Sequence, residues 1–310
     1  MDVFSDVVAT MRVGRAKFTR SRRTGAWGNR YGPYPGAGFH VVLDGSCWLI
    51  TAGETPVLLH AGDVVFLPHG SLHGLSDRPD RRIADLPPAP PAGSDAHCID
   101  PATVHAHLLC GAYRLEQGLA HPFLRSLPDV VHIAATSRHH DLRTAVDLLG
   151  ADLTDPRPGA EAALPALLDL LLVYLLRAWL AEETAQRADS GWPAALTDPL
   201  LGKALHHMHR DPARAWTVQD LATTVGMSRT AFARRFTGLV GQPPLTYLTW
   251  WRLSTGAGLL RETDLPLAGI ARQVGYSSEF AFSNAFRREF GIAPGRFRRD
   301  RRAPADHGVG

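Results

Sequence analysis

The sequence predicts two domains: an all-β N-terminal barrel followed by helices, then an all-α C-terminal domain with two helix-turn-helix units. Three observations predict this. The last quarter of the 310 residues repeats one small unit twice. Residues 39–68 are short apolar runs broken by Asp44-Gly45, Gly53-Glu54 and Gly62-Asp63, a strand-and-turn rhythm. Charge divides along the chain. Residues 197–302 hold 16 Lys/Arg against 8 Asp/Glu, and residues 1–196 hold 17 against 21. A basic surplus confined to one domain is the footprint of phosphate binding.

Taken from its start, the chain has no uninterrupted apolar stretch within residues 1–24, so no signal peptide is expected. Three cysteines, an odd number, then point to a reducing cytoplasm. Residues 39–43, 47–51, 57–60 and 64–68 read as strands, with Asp44-Gly45 as a turn between the first two. Residues 84–96 are Pro/Ala/Gly-rich and read as a flexible loop. Residues 103–116 return to strand character with His105, His107 and Cys110.

The pattern then turns helical, over residues 141–153 and 161–187. The second helix carries Leu164, Leu167, Leu168, Leu171, Leu175 and Leu176 at helical spacing. Asp169 and Arg177 inside it favour a buried soluble helix over a membrane span. Leu171 and Leu175 are expected at a homodimer interface. The boundaries are therefore a first domain over 1–190 (barrel about 25–135, helices about 141–187), a linker over 191–197, a helical domain over 198–300, and a disordered tail over 301–310.

The repeat has a local physical reading. A short helix ends at Gly226 or Gly275, where a left-handed turn needs no Cβ. Ser228 or Ser277 then caps a second helix. Ala222 and Ala271 are small where two helices cross. These pairs lie 49 apart, whereas Phe236 and Phe286, Gly241 and Gly291, and Pro244 and Pro294 lie 50 apart. One residue is thus added near the start of the second copy's last helix. In a helix-turn-helix that outward helix lies in the DNA major groove. A plain duplicated helical hairpin is the other reading, and the charge balance argues against it.

The repeated A-x3-G-(M/Y)-S, the phenylalanines and the closing Gly291-Ile292-Ala293-Pro294-Gly295-Arg296-Phe297-Arg298 resemble the DNA-binding domain of the AraC/XylS transcription regulators. The resemblance covers about 198–300. It implies seven helices, a long connecting helix over about 245–261, operator DNA as partner, a homodimer, and RNA polymerase as a further partner if the protein activates. Gly62, Pro68, Gly70, His73 and Asp77 match the second motif of the cupin barrel, with Asp77 where the pattern has Asn. The first cupin motif is degraded. Its carboxylate position falls on Gly38 and its histidines near Gly32 and Tyr34.

Strand parity puts His40 on the same face as Gly38. His40, His69, His73 and Cys110 are therefore the candidates for an effector or metal site. Two imidazoles and a thiolate would suit zinc; a metal-free polar pocket for an unknown small effector is the alternative. Cys47, Cys98 and Cys110 are the thiol-sensor candidates, against a reading as inert small hydrophobes. A regulator whose first domain only dimerises also remains open. A cupin metalloenzyme is disfavoured, because the carboxylate and the histidine pair are missing.

In the outward helices, Phe232, Phe236, Phe282 and Phe286 should face the core. Arg229, Thr230, Ala233 and Arg234 then face the groove in the first, and Ser278, Glu279, Ala281 and Asn284 in the second. Arg234 suits guanine, Glu279 cytosine and Asn284 adenine. Arg287, Arg288, Arg298 and Arg299 suit phosphates, which position without specifying.

Overall fold

The computed structural model describes residues 2–11, 17–90, 104–113, 121–155, 158–186 and 190–302. Chain order begins α1 (Val3–Met11), β1 (Lys17–Thr24), β2 (Gly28–Tyr31), β3 (Ala37–Thr51), β4 (Val57–His60), β5 (Val64–Leu67), β6 (His73–Ser76), β7 (Val104–Tyr113), α2 (Pro122–Arg125) and β8 (Val131–Ile133). It continues with α3 (His140–Thr154), α4 (Ala160–Gln186), α5 (Gly191–Thr197), α6 (Pro199–Arg210), α7 (Val218–Thr224) and α8 (Arg229–Val240). Then come α9 (Pro244–Glu262), α10 (Leu267–Gln273), α11 (Glu279–Phe290) and α12 (Pro294–Arg302). Two compact units result, one from 12–116 and 127–183, the other from 1–11, 117–126 and 184–310.

In the first unit every strand pairing is antiparallel, and β3 is the spine. Its first half lies between β5 and β7, and its second half between β4 and β6. β1 adds to β7, β8 to β5 and β2 to β6. The core between them holds Val42, Cys47, Leu49, Leu59, Val65, Leu67, Leu75 and Leu108.

Asp44-Gly45 is not a chain reversal. β3 runs on through it for 15 residues, and the register to β7 slips between Val42 and Asp44. This is a β-bulge. Gly45 has φ +75°, and a Cβ there would stand 2.0 Å from the His105 carbonyl oxygen. The sheet also starts earlier than residue 25. β1 is too rich in arginine to read as a strand, yet it pairs with β7 along its length. The first part of the expected 84–96 loop is tucked along β2. Arg30 N–H donates to the Pro87 carbonyl at 2.8 Å, and Leu86 is buried. Residues 91–103 lie outside the described residues.

α3 buries Leu142, Val146 and Leu149. α4 buries Leu168, Leu171, Leu172, Leu175, Leu176 and Trp179, and Tyr113 Oη donates to the Leu168 carbonyl at 2.8 Å. By length and composition α4 could cross a membrane. Leu171 and Leu175 are core residues of their own chain, which corrects their expected place at a dimer interface. Among the described residues, Leu170 is the large apolar side chain that α4 exposes.

The second unit contains α6 to α12, seven helices over the stretch where seven were expected. The expected linker over 191–197 is α5, with Trp192 and Ala195 fully inside. Trp192 could not be left in water without losing its large apolar contact area. α1 and residues 121–126 also belong to this unit, not to the first domain. The tail is helical to Arg302; residues 303–310 lie outside the described residues.

A polar chain crosses the centre of this unit. Phe123 N–H donates to His121 Nδ1 at 3.0 Å, so a neutral His121 carries its proton on Nε2. That proton faces Tyr247 Oη at 3.2 Å. Tyr247 Oη in turn donates to His209 Nε2 at 2.7 Å, and His209 Nδ1–H donates to Asp6 Oδ2 at 2.9 Å. Trp251 stacks on His209 with ring centroids 3.7 Å apart. Phe236, from α8, packs edge-on against Tyr247. α1, 121–126, α6 and α9 are therefore tied together directly behind α8.

Candidate functional site

Both helix-turn-helix units are built by local chemistry. Gly226 and Gly275 close α7 and α10 with φ +70° and +84°. Ser228 caps α8 by accepting from Ala231 N–H at 3.3 Å, and Ser278 caps α11 by accepting from Ala281 N–H at 3.1 Å. Ser278, not Ser277, is the cap. The added residue therefore lies in the second turn, before the helix. From the cap onward the two outward helices correspond at an offset of 50.

That offset decides which side chains face out. Phe232, Phe236, Phe282 and Phe286 are fully buried. At about 100° per residue, the face opposite them carries Thr230, Arg234 and Thr237 on α8, and Phe280, Asn284, Arg287 and Arg288 on α11. All seven are exposed. Arg229 and Glu279 are exposed only because they begin their helices; their azimuth is near that of the phenylalanines. Ala233 and Ala281 are half-buried on the flanks. Ser278 spends its hydroxyl on the cap. The outward position expected for Glu279 is therefore taken by Phe280. The 50-residue spacing of the phenylalanines carried this signal, but the 49-residue spacing of the turn glycines hid it.

Arg234 rims a groove of about 570 Å³ lined also by Asp198, Arg235 and Leu239. Arg235 pairs with Asp198, whose carboxylate also caps α6. Arg298 donates to the Leu265 carbonyl at 2.6 Å, so it is engaged within the domain. Arg299 is exposed.

In the sheet unit, His40 and His73 meet. His40 Nε2 and His73 Nε2 are 2.7 Å apart. His73 Nδ1–H donates to the Ser71 carbonyl at 2.7 Å, leaving its Nε2 to accept from His40 Nε2–H. His40 Nδ1 is then a bare acceptor, buried and without a partner. The Tyr31 ring stacks on His73 and meets His40 edge-on, and its hydroxyl lies 3.8 Å from Cys110 Sγ. A Cβ at Gly38 would stand 1.7 Å from the Tyr34 hydroxyl. The space of the lost carboxylate is thus filled by a phenol from the preceding loop. His69 is excluded from the cluster: it is exposed, with Nε2 3.0 Å from the Leu127 carbonyl oxygen. It follows the end of β5, where strand alternation no longer sets direction. Asp77, in the asparagine's place, pairs with Arg81 at 3.3 Å.

Burial holds both imidazoles neutral. It pushes His40 well below the usual histidine range, helped by His73, and takes His73 down to about 4. Burial likewise raises the Tyr31 and Tyr34 hydroxyls. The cluster is a neutral set of hydrogen-bonding groups. It does not fit the zinc reading, one of the two that the sequence left open. Two nitrogens on one tetrahedral zinc lie about 3.3 Å apart, whereas these share a proton at 2.7 Å. Among the described residues no three His, Cys, Asp or Glu side chains converge. Burial pushes the Cys47 thiol up to about 12, which makes it a poor thiolate source. Cys110 is buried, and Cys98 lies outside the described residues.

A cupin family model matches residues 2–181, and a helix-turn-helix domain model matches residues 221–300. A putative AraC-like transcription regulator of Streptomyces lividans is 35% identical over 302 residues, covering 96% of this chain and 98% of the relative. A second, from Streptomyces antibioticus, is 33% identical over 308 residues, covering 96% and 99%. Among solved structures, the DNA-binding domain of AdpA, a global transcriptional factor in complex with a target DNA, is 31% identical with a TM-score of 0.34, covering 36% of this chain and all of that one. With a doubled helix-turn-helix on a basic domain and a cupin-like sheet before it, the chain belongs to the AraC-like family of DNA-binding transcription regulators.

Proposed function

We propose that the protein is a cytoplasmic, sequence-specific regulator that reads operator DNA with α8 and α11. The observation that carries this is the pair of outward faces, equivalent at an offset of 50 and set on the basic part of the chain. Arg234 and Asn284 supply hydrogen bonds to base edges, and Arg287, Arg288 and Arg299 supply phosphate contacts. A homodimer forms through the second face of α4, centred on Leu170. RNA polymerase is a further partner if the protein activates. The test is selection of duplexes from a randomised pool by the full chain, then affinity measured against salt. Operator binding should fall steeply with salt. Equal affinity for selected and random duplexes would sink the reading.

The sheet unit binds a small effector that donates a hydrogen bond to His40 Nδ1. This buried acceptor is unmatched, and a native buried polar atom without a partner calls for one. Compounds that raise the melting temperature of the full chain, but not of His40→Phe, would identify the effector.

A further inference from the structure

We infer that Phe280 is a specificity-determining residue that reads a thymine methyl in the second half-site. The inference rests on the proposed use of α11 as a reading helix. Phe280 is 75% exposed, whereas the next most exposed large apolar residue among the described residues, Leu148, reaches 46%. An aromatic ring in water forfeits the burial that stabilises it elsewhere in the fold. Nothing in the fold of α11 requires it there, since Phe282 and Phe286 already fill the core side. Its place is specific: the first turn of the helix, one turn before Asn284, at the position equivalent to Thr230 in the first unit.

In the major groove the apolar mark is the C5-methyl group of thymine, and a phenylalanine is a side chain that can cover it. Asn284 alongside suits adenine, and the exposed Arg287 and Arg288 farther along suit the backbone. The outward face of α11 therefore reads as apolar, then amide, then cationic. That of α8 reads hydroxyl, guanidinium, hydroxyl. The two half-sites should differ in sequence despite the repeat that built them.

The test uses the full chain and a duplex selected from a randomised pool by the wild type. Each selected thymine in the half-site protected by α11 is replaced in turn by deoxyuridine, which deletes only the methyl. One replacement should weaken the wild type by about fourfold, the ratio expected of one buried methyl group. Phe280→Ala should bind that thymine duplex and its uracil counterpart equally, because the ring that covers the methyl is gone. Phe280→Leu should keep part of the discrimination. Unchanged melting temperatures would show that the variants fold. The inference fails if no deoxyuridine weakens the wild type, or if Phe280→Ala loses as much as the wild type. If the wild type selects no sequence at all, the underlying DNA reading fails with it; a preference retained in the α8 half-site alone removes only the role of Phe280.

Discussion

Tyr247 Oη donates to His209 Nε2 at 2.7 Å while standing 3.2 Å from His121 Nε2. One hydroxyl therefore satisfies two buried imidazoles from different parts of the chain. Tyr247→Phe leaves the Nε2 of each without its partner, while the Nδ1 contacts to Phe123 N–H and Asp6 remain. Each orphaned buried group costs about 1–3 kcal/mol, so a loss of about 2–6 kcal/mol is expected for the two. Chemical denaturation of the full chain measures it. A loss below about 0.5 kcal/mol would show that water replaces the hydroxyl.

The same network sets a pH dependence. Burial holds His121 well below its ordinary range, and burial also lowers His209 against the opposing pull of Asp6. In the unfolded chain both titrate near 6.5. As pH falls below that value the unfolded state takes up protons first, so stability present above about 6.5 is lost on acidification. Thermal melts between pH 8 and pH 5 should show the decline, and Asp6→Asn should steepen it by removing the carboxylate that favours charged His209. A flat profile would contradict the neutral network.

Gly38→Ala would press its Cβ into the Tyr34 hydroxyl. Overpacking of this kind costs about 1–3 kcal/mol. Adding Tyr34→Phe should recover part of that loss, because it removes the nearest atom. Additive losses in the double variant would mean that the phenol does not occupy this space.

Arg234→Ala should cost about 1–3 kcal/mol on a selected operator and much less on random DNA, as expected for a bidentate contact to guanine. An equal loss on both would reassign Arg234 to phosphate.

Leu170→Asp should give a folded monomer, seen by light scattering at micromolar concentration, because Leu170 is 36% exposed. Leu171→Asp and Leu175→Asp should instead unfold the chain, since each would bury an unpaired charge. A dimer that survives Leu170→Asp would place the interface elsewhere.

The features legible in the sequence were those made by residues close together in it. The turn glycines, the capping Ser228 of the first unit and the core phenylalanines of both depend on neighbours within one or two helical turns, and their spacing states them directly; the second cap, read as Ser277, is Ser278. The alternation that placed His40 inward is equally local. What needed the tertiary structure was set by distant residues. Asp44-Gly45 reads as a turn until β7 pairs across it and makes it a bulge. Tyr34 fills the space at Gly38 because its loop is held from far along the chain, Tyr34 N–H donating to the Gly70 carbonyl at 3.2 Å. The chain from Asp6 to His121 joins segments more than a hundred residues apart, and no periodicity encodes such a meeting. Phe280 lies between these cases. The repeat held its position, but only the cap at Ser278 showed where the added residue falls, and a shift of one residue turns a helix face by about 100°.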